Sequence, residues 1–155
     1  MAVFAASDPE YATRVLASFE RQGIMRLIGA RVSRVEPGHV EIELPYRADL
    51  TQQHGYFHAG VTSTIADSAG GYAGYTLFPA NSSVLTVEYK MNLVSPAEGD
   101  KLVAIGRVKK TGRSLTVCEL EVVAVKSGVA KPCAFGLQTL MCLQGRADTP
   151  QAGQP

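Results

Sequence analysis

The sequence predicts an α+β domain in which an antiparallel sheet wraps one buried helix. Two observations carry that expectation. Residues 61–77 place Thr62, Ala66, Ala69, Ala73 and Leu77 at helical spacing, and Val61, Ile65, Tyr72 and Tyr75 widen the stripe. Short β-branched or alternating segments stand on both sides of it, two before and four after. With one long apolar helix and six strands, the simplest layered solution lays the helix against the sheet.

The chain starts with Ser7-Asp8-Pro9-Glu10, a helix opening in which Ser7 reads as N-cap, Glu10 closes a capping box and Pro9 sits in the first turn. Tyr11, Val15, Leu16 and Phe19 mark one face of that helix, and Gly23 reads as its stop. Residues 30–36 and 40–44 flank Pro37-Gly38 and predict a hairpin, followed by a polar loop over residues 47–57. After the long helix, Phe78-Pro79-Ala80-Asn81 breaks the pattern. A strand follows in which Leu85, Val87, Tyr89, Met91 and Leu93 alternate with polar residues, so its odd positions are expected to face the core. A turn at residues 95–100 leads into strands over 102–109, 115–125 and 130–143, a meander joined by Thr111-Gly112-Arg113 and Ser127-Gly128. Residues 144–155 contain little apolar material and read as a flexible tail on a single domain spanning 1–143.

Composition narrows the function. The 155 residues are 46% hydrophobic and 19% charged, which suits one globular domain. A net charge of +1 gives no overall attraction to nucleic acid or acidic membranes. The sequence has no apolar run near 18 residues and no basic-then-apolar start, so a cytoplasmic protein is expected. Cys118, Cys133 and Cys142 are odd in number, lie in apolar runs and form no CxxC, which predicts buried reduced thiols. His54 and His58 have ligand spacing only if both are helical, and His54 precedes the helix, so no metal is expected.

The long helix carries one acid. Asp67 shares its face with Gly60, Ser63, Thr64, Gly70, Gly71 and Gly74, neighbours at three, four and seven residues. Helix-interior glycines cost roughly 1 kcal/mol each against alanine, so three of them predict a close approach by a backbone or a ligand. A lone carboxylate on such a face is a candidate site.

The run Gly55-x-x-His58-Ala59-Gly60, Asp67 in the following helix, the Ser95-Pro96-Ala97 turn and the strand ending Lys109-Lys110-Thr111-Gly112-Arg113 together resemble the hotdog-fold thioesterases of the PaaI-like group. The resemblance covers roughly residues 20 to 143. It implies hydrolysis of acyl-CoA to the free acid and coenzyme A, with no cofactor beyond the coenzyme A of the substrate. It also implies active sites at a homodimer interface, with a tetramer of two dimers as the larger assembly. Two positions depart from the pattern. Many members have Asn where this chain has Gln52, and Gly-Gly where it has Ala59-Gly60; alanine keeps the backbone N–H.

Thioester hydrolysis needs a base or nucleophile at the carbonyl and donors for the oxyanion. Asp67 is the candidate for the first. The N–H groups of Ala59 and Gly60, at the positive end of the helix dipole, are candidates for the second. Gln52 would position the reacting groups. His58 stands at the helix entry, and Thr86 matches a position where related enzymes carry a hydroxyl near the site. Lys109, Lys110, Gly112 and Arg113 form a basic turn suited to the phosphates of coenzyme A. Eight residues of helix separate Ala59 from Asp67, a rise of about 12 Å, too long for both to touch one carbonyl. Two helices antiparallel about a two-fold axis would bring them together. A hotdog hydratase or dehydratase pairing His58 with Asp67, and a non-catalytic acyl-CoA-binding module, are the alternatives.

Overall fold

In the computed structural model, which describes residues 4–149, six strands form one antiparallel sheet in the order β1-β2-β4-β5-β6-β3. The strands are β1 (Arg31–Glu36), β2 (His39–Pro45), β3 (Ser82–Leu93), β4 (Lys101–Thr111), β5 (Leu115–Lys126) and β6 (Val129–Gln144). The helices are α1 (Tyr11–Arg21), α2 (Gly23–Ile28) and α3 (Ala59–Tyr75). Gly38, at φ +75, makes the expected β1–β2 hairpin turn, and its N–H donates to Thr76 Oγ1 at 2.8 Å.

α3 lies on one face of the sheet and packs against β2 to β6. Its seat is close because both sides are cut back. A Cβ on Gly106 of β4 would meet the Ala69 carbonyl, one on Gly70 would meet Gln138 and Leu120, and one on Gly74 would meet Leu140. The glycines therefore serve the helix–sheet contact. Gly71 differs, since a Cβ there meets nothing within 4 Å among the described residues. Ile42, Leu44, Leu102, Leu120 and Leu140 are fully buried, and each such side chain stabilises the fold by about 1.5–3 kcal/mol relative to exposure. Cys118 and Cys133 are buried free thiols, pushed up to about 12 and about 11 by burial, and Cys142 is half-buried.

α1 covers the C-terminal half of α3. Phe19 meets Tyr72 edge-on at 6.0 Å between ring centroids. Arg14 lies 4.3 Å from the Tyr75 ring centroid and donates to the carbonyls of Phe78 (2.8 Å) and Pro79 (2.7 Å), a cation at the negative end of α3. Ser7 is not the N-cap: its hydroxyl donates to the Leu77 carbonyl at 3.2 Å, and Asp8 instead accepts the Glu10 N–H at 3.0 Å. Asp8 also pairs with Arg14 at 3.1 Å, which favours an acid there. Gly23 ends α1 only by starting α2, which stops at Gly29 in the left-handed region, φ 78.

Two further expectations are corrected. A bulge at Val87 shifts the register of β3, so that Thr86 and the residues opposite Gln138, Gly136 and Ala134, namely Tyr89, Met91 and Leu93, face the helix side. Leu85, opposite Met141, faces away and is 54% exposed. Residues 144–148, expected to belong to a flexible tail, are tied to the domain. Gln144 pairs with Ser82, the Gly145 N–H donates to the Asn81 carbonyl at 2.9 Å, and Asp148 pairs with Arg21 at 2.8 Å. Residues 150–155 of that segment lie outside the described residues.

The glycine contacts make separable predictions for urea denaturation. Gly106→Ala, which drives a Cβ into helix backbone, should cost about 1–3 kcal/mol. Gly71→Ala should stabilise by about 0.5–1 kcal/mol, because it meets open space and improves helix propensity. Equal effects at the two positions would contradict this account of the helix seat.

Candidate active site

Asp67 is held by three elements. Its Oδ1 accepts from Thr86 Oγ1 of β3 at 2.8 Å and from Gln138 Nε2 of β6 at 2.6 Å. The same Gln138 nitrogen lies 3.0 Å from the Asp67 carbonyl and 3.1 Å from Thr86 Oγ1. Thr86 thus donates to the acid while accepting from the amide, and the carboxylate is fixed through one oxygen. Among the described residues nothing bonds to Oδ2. It is the atom left for chemistry.

Gln138 was missed in the sequence. It is 1% exposed, and its Oε1 has no partner among the described residues. A polar residue on the inward side of an otherwise apolar strand, in step with Gly136 and Leu140, was the available signal. Gly70 explains how it fits, because any side chain there would take the space of the Gln138 amide. The Val87 bulge matters equally, since it lets Thr86 point inward while the rest of β3 keeps pairing.

At the start of α3 the arrangement differs from expectation in one respect. His58 is the N-cap, and its Nδ1 accepts the Gly60 N–H at 2.9 Å. Gly60 therefore has no free donor. The N–H groups of Ala59 and Val61 have no partner among the described residues, which leaves Ala59 as the donor the sequence reading needs. The His58 ring is occupied by the cap and is not paired with Asp67. Gln52 Oε1 accepts the His54 N–H, and the Gln52 N–H donates to the Tyr56 carbonyl at 2.9 Å, so this loop folds back on itself.

The residues read as one site fall into two cavities. Asp67 and Thr86 line a cavity of about 760 Å³ between α3, α1, the start of β3 and residues 145–149. Gln52 and Ala59 line another of about 430 Å³, with Phe57, Thr62, Leu93 and Val94. Neither cavity holds both the acid and the free N–H.

The basic turn joins β4 and β5. Lys109 pairs with Glu119 at 3.2 Å, and the Gly112 N–H donates to the Leu115 carbonyl at 2.8 Å, so neither the first lysine nor this amide is free. Lys110 and Arg113 are exposed. The Gln144 side chain donates to the Arg113 carbonyl at 3.5 Å, which puts the turn at the same end of the sheet as the Leu143–Gly145 wall of the larger cavity.

Residues 54–131 match the family model described as the thioesterase superfamily. A crystal structure of a thioesterase family protein from Silicibacter pomeroyi is 45% identical, covers 87% of this chain and 99% of its own, and superposes with a TM-score of 0.86. A protein of Halobacterium salinarum named as an esterase is 29% identical over 75% of this chain and 80% of its own. The E. coli PaaI protein from the phenylacetic acid degradation operon is 18% identical with a TM-score of 0.77, covering 89% and 96%, a likeness of fold.

The cap predicts a stability difference that any folding assay can read. His58→Ala should lower stability by about 1 kcal/mol, and His58→Asn, which supplies a preferred capping oxygen, should restore most of it. No loss in the alanine variant would remove His58 from the capping role.

Proposed function

Because the chain belongs to the thioesterase superfamily, we propose that it hydrolyses acyl-CoA thioesters at two sites shared across a homodimer. One observation supports the shared site above the others. The only acid of α3 and the free N–H at its start are eight residues apart, about 12 Å of helix, and open into separate cavities.

The free edge of β3 supplies a surface for the second copy. Tyr89 and Leu93 lie on the helix side of the sheet yet are 47% and 56% exposed. Antiparallel pairing of two β3 edges would cover them. It would also set the two α3 helices side by side in opposite directions, with the N-terminus of one beside Asp67 of the other.

In that setting water attacks the thioester carbonyl carbon, and Asp67 Oδ2 takes its proton. The oxyanion is held by the partner subunit's Ala59 N–H at the positive end of α3. The tetrahedral species then collapses, the C–S bond breaks, and the sulfur leaves with its electron pair and takes the proton from Asp67. Thr86 and Gln138 hold Oδ1 throughout, so the carboxylate keeps one orientation. Direct attack by Oδ2 uses the same atom and the same donors, and the shared site holds for both routes. Gln52, beside Ala59, orients the reacting groups from the partner's side. In a hydratase pairing His58 with Asp67, only His58 Nε2 would be left for the chemistry, because Nδ1 accepts the Gly60 N–H.

Three experiments test the reading. Asp67→Asn should lower kcat at least about 100-fold. Ala59→Pro removes the donor N–H at the first helical position, where proline is well tolerated, and the extended backbone of His58 (ψ 140) suits a following proline. Mixing the two folded variants should return about a quarter of wild-type activity, since half the dimers are mixed and each has one intact site. No recovery despite proven subunit exchange would rule out a site built from two chains. For coenzyme A, Lys110→Ala with Arg113→Ala should raise KM and flatten its dependence on salt. An equal loss on a short thioester lacking the nucleotide would place those residues outside phosphate binding.

A further inference from the structure

The larger cavity extends past Asp67 along α3. Gly71 is one turn further on and Tyr72 five residues further, about 7.5 Å along the axis. Among the described residues a Cβ on Gly71 would stand in open space, so the floor between the acid and the tyrosine is bare backbone. The far wall is polar. The Tyr72 hydroxyl accepts from Gln22 Nε2 at 2.9 Å and shares a hydrogen bond of 3.1 Å with Ser18 Oγ, and Ser68 Oγ donates to Gln22 Oε1 at 3.2 Å. All four residues line the cavity. Beyond them the Arg21–Asp148 pair ties residues 145–149 across the end, so the space has a finite length.

This wall is unusual for a place that takes an apolar chain end. Each of its three hydroxyls carries one proton and two lone pairs, and Gln22 has a second amide proton, so the bonds they make with one another leave both donor and acceptor positions uncommitted. Burial raises the Tyr72 phenol above its ordinary range, against the lowering effect of its bonds to Ser18 and Gln22, and it stays neutral at physiological pH. A methyl-ended acyl chain pressed against this wall strips water from those positions and returns nothing. A chain ending in a hydroxyl replaces that water.

Resting on the thioesterase reading above, we propose that the acyl group lies along α3 over Gly71 and carries a hydroxyl at its far end, which the Ser18, Gln22, Ser68 and Tyr72 cluster recognises. Tyr72 is then a specificity-determining residue that contacts the acyl group, and Gly71 sets the room for its chain.

The probes are ω-hydroxyhexanoyl-CoA and its isostere heptanoyl-CoA, whose extended chains span the distance from Asp67 to Tyr72. Binding is measured by calorimetry on the dimeric Asp67→Asn protein and turnover on the wild type. The hydroxylated thioester should bind and react at least about tenfold better. Tyr72→Phe should bring that ratio below about threefold; because the ratio is taken within one preparation, partial unfolding does not affect it. Gly71→Val should lower kcat/KM for ω-hydroxyhexanoyl-CoA relative to propionyl-CoA at least about tenfold. Equal binding of the two isosteres by the unsubstituted pocket, or a preference that survives Tyr72→Phe, would overturn the assignment while leaving the hydrolase reading intact. Preferential binding without wild-type turnover would support the pocket and count against hydrolysis.

Discussion

Everything in this molecule depends on how closely α3 is allowed to approach the sheet. Gly106 on the strand side and Gly70 and Gly74 on the helix side remove the side chains that would hold the two apart. At ordinary helix-on-sheet spacing, Gln138 of β6 would not reach across to Asp67, nor Thr86 of β3 to the same oxygen. The roughly 1 kcal/mol that each helix glycine costs in propensity is offset by packing against Leu120 and Leu140. The same contact positions a carboxylate, so stability and site share one cause.

The same helix keeps Asp67 and the Ala59 N–H in separate cavities. The helix that carries Asp67 at its middle carries the free Ala59 N–H at its start, eight residues away, and a rigid helix cannot fold back on itself. His58 sharpens the point by taking the Gly60 N–H for its own cap, which leaves fewer donors at the helix start than the sequence suggests. Meanwhile β3 ends the sheet with an unpaired edge and with Tyr89 and Leu93 uncovered on the helix side. Each feature alone is a minor defect of a monomer. Together they are what the proposed dimer would resolve, with a second copy across the β3 edge.

The order of elements, the hairpin at Pro37-Gly38 and the buried central helix were legible because they rest on local chemistry: turn residues, alternation and helical spacing. Asp67 stood out because it is the one acid on a helix of small residues. What the sequence could not show depended on tertiary register. The bulge at Val87 reverses which side chains of β3 face inward, and no local propensity announces it. Ser7 looked like a cap by its spacing to Glu10, but the C-terminal end of α3 offers its hydroxyl a carbonyl that is distant in sequence. Gln138 and the cluster around Tyr72 are polar residues whose roles appear only when α1, α3 and β6 are brought together. Gly70 and Gly74 mark a close approach, and the approaching surface is the chain's own sheet; Gly71, read the same way, meets nothing within 4 Å among the described residues.

The most direct test of the two-chain site is a crystal structure of the protein with an acyl-CoA analogue in which a methylene replaces the thioester sulfur. The account predicts the ketone carbon beside Asp67 Oδ2 of one protomer and the ketone oxygen within hydrogen-bond reach of the partner subunit's Ala59 N–H. A ketone held by groups from a single chain, or bound away from Asp67, would contradict it.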